Sequence, residues 1–208
     1  MNSKTSFKYE RLSPENAVLL LIDHQAGLLP LVNDWPQSEL KNNVLALAKV
    51  AKIFNLPVVI TSSYEQGPNG PLAPGIKEIF PDVKVIKRQG EINAWDDPNF
   101  VKAVKETGRK KLIMAGIVTD VCIAFPALSA IEAGYNVIVA IDASGTFNQT
   151  VQQAAVLRMS QAGATIMNWF SIVCELQGDW KKSTAPEMVK LFTEHLVTYG
   201  MIVSSYVA

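Results

Sequence analysis

Residues 17–25 read AVLLLIDHQ. Six apolar side chains stand in succession without the alternation of a half-exposed strand, so a strand here must be buried on both faces. It ends abruptly in Asp23, His24 and Gln25, which can carry charge or hydrogen bonds. An apolar run that stops in polar groups is the pattern of an inner parallel strand delivering side chains to one edge of a sheet.

Similar short, β-branched runs recur along the chain: PVVITSS (57–63), KVIKR (84–88), KLIMAG (111–116), NVIVAID (136–142) and ATIMN (164–168). Helical periodicity fills the spaces between them, so six strands alternate with helices. That order predicts right-handed crossovers and a three-layer, doubly wound α/β sandwich around a mostly parallel six-stranded sheet. The punctuation agrees. In DDPNFVKAVKETG, Asp97 suits the N-cap, Pro98 the first helical position and Gly108 the residue past the end. Apolar Val44, Leu47, Ala48 and Ala51 predict a helix over about 42–55. Thr184 and Glu187 have capping-box spacing ahead of a last helix reaching about Tyr199. Residues 64–75, YEQGPNGPLAPG, are expected to form a surface loop near the site.

At 208 residues and 49% hydrophobic content, one domain over 1–208 is expected. Nineteen basic residues balance nineteen acidic ones. With no basic run, a nucleic-acid or membrane-surface partner is not expected, and a small molecule is. The polar first seventeen residues and the shortness of the apolar run after them predict a cytoplasmic protein. Two cysteines make no disulfide framework, so Cys122 and Cys174 are read as thiols. No zinc-ligand spacing, phosphate loop or G-x-G-x-x-G turn occurs, so neither metal nor cofactor is expected.

Chemistry in such sheets collects beyond the carboxyl ends of the strands. There the sequence places Asp23, the pair Lys87-Arg88 and, after GIVTDVC, Cys122. Cys122 precedes a helix in which Pro126 denies its carbonyl the usual partner, which puts the thiol in or before the first turn and predicts a stabilised thiolate. Asp23 is the one good proton acceptor, with Arg88 or Lys87 as the neighbouring cation. Each has a plainer alternative: a core filler for Cys122, a turn cap for Asp23, a solvated strand end for Lys87 and Arg88. Cys174 reads as structural and His195 as a surface residue.

The runs LLLIDHQAGLL, GIVTDVC and SAIEAGYNVIVAIDASGT, with INAWDDPNFVKAVK and RMSQAGA, resemble the isochorismatase-like cysteine hydrolase superfamily, most closely its YcaC-like branch. The resemblance covers nearly the whole chain. It implies a hydrolase with the triad Asp23, Arg88 and Cys122, Arg88 standing where the superfamily usually has Lys. It also implies a cis peptide between Ile117 and Val118 that aims the N–H groups of Val118 and Cys122 at an oxyanion. His24, Gln25, Lys87, Asn93, Trp95 and Trp169 are the candidate pocket residues, with core packing the alternative for the two tryptophans. No histidine lies between His24 and His195, which argues against a nicotinamidase with its metal site. Cys122 favours C–N hydrolysis of a small amide-type substrate through a thioester. The alternatives are vinyl-ether cleavage with Asp23 as acid, and a non-catalytic thiol-sensing oligomer. The resemblance further implies a homo-octamer, with the helix and tail over about 184–208 in subunit contacts.

Overall fold

The computed structural model describes residues 9–207. Six strands, β1 (Ala17–Ile22), β2 (Val58–Ser63), β3 (Val85–Arg88), β4 (Lys111–Gly116), β5 (Asn136–Ala140) and β6 (Thr165–Met167), form one sheet in the order β3-β2-β1-β4-β5-β6. All five pairings are parallel. Every residue of β1 and β4 is buried, which is why β1 reads as an unbroken apolar run and β4 as one after Lys111.

Helices cover both faces, and alternate side chains of each strand feed two separate cores. Leu19 and Leu21 of β1 pack with Leu40 and Leu47 of α1 (Gln37–Ile53), Ile76 of α2 (Pro74–Ile79), and buried residues of α6 (Trp169–Gln177) and α7 (Ala185–His195). On the other face Leu20 and Ile22 meet Phe100 of α3 (Pro98–Glu106), Ala127 of α4 (Ala124–Glu132) and Met159 of α5 (Gln149–Gln161). The three-layer expectation holds.

The sheet order fixes where a site can be. The chain leaves β1 for β2 and β3 on one side, then returns to pair β4 on the other, so its direction reverses between β1 and β4. Crossovers diverging from that point leave a crevice beyond the carboxyl ends of the two strands. Close approach there needs Gly116, where a Cβ would sit 2.1 Å from the Ile22 carbonyl oxygen.

At α3 the caps are as expected: Asp97 accepts from the N–H groups of Asn99 and Phe100, and Gly108 has φ +67°. Four other expectations are corrected. Helix α1 starts at Gln37, because Pro36 stops the preceding chain and Leu40 already turns inward. Residues 74 and 75 open α2 and do not continue the loop, Pro74 serving as its first residue. Thr184 makes no capping bond; its hydroxyl donates to Gln177 Oε1 at 2.6 Å. The capping box occurs instead at Asn168 and Ser171 of α6. The last helix is two: α7 ends at His195, Leu196 is extended, and α8 (Val197–Val207) takes up most of the apolar tail. No helix among the described residues is long and apolar enough to cross a membrane.

Candidate active site

The first functional side chain sits where β1 stops. Asp23 has φ +56°, a left-handed conformation that Asp tolerates better than most side chains, and its N–H still donates to the Thr61 carbonyl. The turn carries its carboxylate into the crevice, where Oδ2 accepts from Arg88 Nη2 at 2.6 Å. Both side chains are fully buried. Arg88 closes β3, and strand alternation sends its neighbour Lys87 the other way, to an exposed ion pair with Glu65 at 2.7 Å. Of the two cations, Arg88 is the one whose side chain meets Asp23.

Cys122 arrives from β4. The Ile117–Val118 peptide is cis, and residues Thr119–Ile123 make a single π-type turn before α4 begins. Pro126, buried at the third position of α4, withholds the N–H that would otherwise bond the Cys122 carbonyl. The thiol is mostly buried and interacts with the Asp23 carboxylate, with the Val118 N–H acting on the sulfur from the backbone. Among the described residues, Asp23 Oδ1 and Nε and Nη1 of Arg88 are left without a hydrogen-bond partner in the geometry.

Electrostatics here depart from expectation. Burial, and next the Asp23 charge, push the Cys122 thiol up to about 12, against the pull of the Val118 N–H and Arg88. The predicted thiolate is not the resting form; desolvation outweighs the turn's N–H groups. Burial also raises Asp23 to about 6, although Arg88 pulls the other way. Above that value the site holds a neutral thiol beside a carboxylate and a guanidinium.

A second layer that the sequence reading assigned no role braces the cysteine turn. The Thr119 N–H donates to Gly145 O, and Thr146 Oγ1 donates to Asp120 Oδ1 at 2.6 Å. Asp34 then accepts from the Thr146 N–H and from Gln152. The signal was the run of small and hydroxyl residues after β5, Ser144-Gly145-Thr146.

The candidate pocket residues mostly turn out to be supports. Gln25 is buried and ties strand ends together, its amide donating to Ser63 O and Gly70 O while accepting from Ser63 N. Asn93 caps a short turn by accepting from Trp95 N and donates to Ser129 of α4. Trp95 packs edge-on against Phe100 and Tyr135. Trp169 is a core residue whose indole donates to Asn43 Oδ1, so its packing alternative is the right one. His24 belongs to the opposite face of the sheet, with Nε2 3.0 Å from Ala143 O. His195 is also corrected: its side chain is 5% exposed, because it packs against Asn42 of α1 and Trp169 of α6. Cys174 packs against the α1 and α6 core, consistent with a structural residue.

A six-stranded parallel sheet flanked by helices, with a carboxylate, a guanidinium and a thiol meeting at its switch point, places the molecule in the isochorismatase-like class of α/β folds. The chain belongs to the isochorismatase family, whose domain matches residues 17–170, and it is a hydrolase of that family. It is 54% identical over 198 residues to the "Probable hydrolase YcaC" of Escherichia coli (strain K12), covering 95% of each chain. The structure of YcaC from Pseudomonas aeruginosa with hexane-2,5-diol and covalent acrylamide matches with a TM-score of 0.94 at 54% identity, over 98% of this chain and 100% of that one. The Escherichia coli YcaC structure, described as an octameric hydrolase of unknown specificity, also gives 0.94, at 55% identity over 97% and 98%.

Proposed function

We propose that the protein hydrolyses a C–N bond in a small amide-type substrate, with Cys122 as nucleophile, Asp23 as proton carrier and Arg88 as the cation that holds Asp23. The observation that carries this is one buried carboxylate shared between a guanidinium at 2.6 Å and the thiol. As sulfur attacks the carbonyl carbon, its proton passes to Asp23. The carbonyl oxygen becomes an oxyanion, for which the N–H groups of Val118 and Cys122 are the assigned donors. Collapse of the tetrahedral species breaks the C–N bond, and Asp23 returns the proton to the leaving amine. Water then attacks the thioester, Asp23 taking its proton and giving it back to the sulfur. Arg88 stays protonated throughout.

The covalent acrylamide of the Pseudomonas aeruginosa relative supports this reading, since acrylamide is an electrophile that captures thiols. The test is turnover on a panel of small amides, carbamates and nitriles by the parent, Cys122→Ala and Asp23→Asn proteins, with intact-mass detection of an acyl adduct. Loss of about 10²–10⁴ in rate is expected for the general base. Turnover surviving in either variant would overturn the mechanism.

One observation favours a second reading. Burial holds Asp23 near 6, a value suited to a general acid close to neutrality, so vinyl-ether cleavage would need Asp23 and not the thiol. In that case Cys122→Ala would keep its activity. A thiol sensor is disfavoured, because a thiol pushed up to about 12 offers little thiolate to an oxidant. We also propose an octamer, as in the Escherichia coli relative, and a cytoplasmic location in keeping with two unpaired thiols.

A further inference from the structure

On the face of the sheet opposite Cys122, a cavity of about 560 Å³ lies between the first half of α1 and the start of α2. Leu40, Val44 and Ile76, which form its apolar walls, belong to the core under α1, whereas Cys122 packs against the core under α3 to α5. Exposed Lys41 and Glu78 add one charge of each sign at its edge. A space of this size falls in the range of small-molecule sites. Its mixed, balanced rim suits a molecule without net charge.

His24 borders this cavity and is 1% exposed. Its Nε2 faces the Ala143 carbonyl at 3.0 Å, so that nitrogen carries the hydrogen and Nδ1 is left as a lone-pair acceptor. Nδ1 has no partner among the described residues. Buried acceptors are almost always satisfied, so an orphan acceptor on a residue that borders a cavity points to a donor supplied from that side. We propose that this cavity is a second small-molecule site. Its ligand is a neutral, mainly apolar molecule with one hydroxyl or amide N–H that donates to His24 Nδ1. The inference is independent of the Cys122 chemistry, because it rests on a different sheet face and different groups.

The test uses the full-length protein labelled with ¹⁵N-histidine, in which only His24 and His195 report, and cyclohexanol as probe. Saturable upfield movement of the His24 Nδ1 resonance is expected, with His195 unmoved. Ala73→Phe, placed at the cavity edge on a partly exposed residue, should reduce that response at least tenfold while preserving the amide spectrum. Methylcyclohexane, which has no donor, should leave Nδ1 where it is. The proposal is overturned if cyclohexanol does not move Nδ1, including the case in which a second copy of the chain already fills the cavity. It is equally overturned if the shift is undiminished in Ala73→Phe.

Discussion

At Cys122, burial and a neighbouring carboxylate raise the thiol, while one backbone N–H and a guanidinium lower it, and the first pair wins. The acid that keeps the thiol protonated is also the base proposed to receive its proton. Asp23→Asn should therefore split two properties that normally move together. Iodoacetamide labelling of Cys122 at pH 8 should become faster, since the charge that raises the thiol is gone, while hydrolysis falls. Mass spectrometry separating Cys122 from Cys174 reads the first, and slower labelling would show that Asp23 does not set the thiol. The two cations of β3 should differ as sharply. Arg88→Met leaves Asp23 buried without its partner and is expected to cost about 3–5 kcal/mol in urea unfolding. Lys87→Met breaks only an exposed pair with Glu65 and should cost less than about 1 kcal/mol.

Among the elements, the strands were the most legible, because burial on both faces leaves a continuous apolar signature. Helix ends were legible only where the capping residue has no competing partner. Asp97 caps α3 as its sequence suggests, and Asp97→Ala should lower stability by about 1 kcal/mol. Thr184 has the same local credentials, but Gln177, seven residues earlier in the chain, takes its hydroxyl. Thr184→Ala should accordingly leave the start of α7 unchanged. The junction between β1 and β4 is less forgiving. A side chain at Gly116 would meet the Ile22 backbone and Ile123, so Gly116→Ala is expected to destabilise by about 2–4 kcal/mol, measured by thermal or urea unfolding.

For the molecule as a whole, buried titratable groups oppose one another in their pH dependence. His24 is held neutral by burial, its value lowered from 6.5 to about 4. Its contribution is present above 6.5 and lost as pH falls towards 4, by roughly 3 kcal/mol. Asp23 and Asp142, each raised to about 6, act in the reverse sense: their contribution is present below 3.8 and lost as pH rises through 6. Between pH 7 and 4 the parent should thus lose about 3 kcal/mol more than His24→Gln in denaturant titrations, and an equal loss in both would refute the assignment. Assembly belongs to this scale too. Val197, Met201 and Ile202 of α8 are more than 60% exposed, an apolar stripe suited to a subunit contact. Met201→Glu with Ile202→Lys is expected to lower the assembly mass by light scattering.

Strand burial and strand-end polarity are local patterns, so the layers, the strand ends and two of the three groups that meet there were legible in the residues. Asp23 and Cys122 could be read because each follows an unmistakable inner strand. Which of Arg88 and Lys87 meets Asp23 was not legible there, since the side of β3 that faces the crevice depends on the fold of the whole sheet. The tertiary structure alone showed that burial raises the thiol, that α1 and α6 bury the His195 side chain, and that His24 borders a cavity of its own. Those properties are set by desolvation and by neighbours distant in the chain, and no local pattern of residues encodes either.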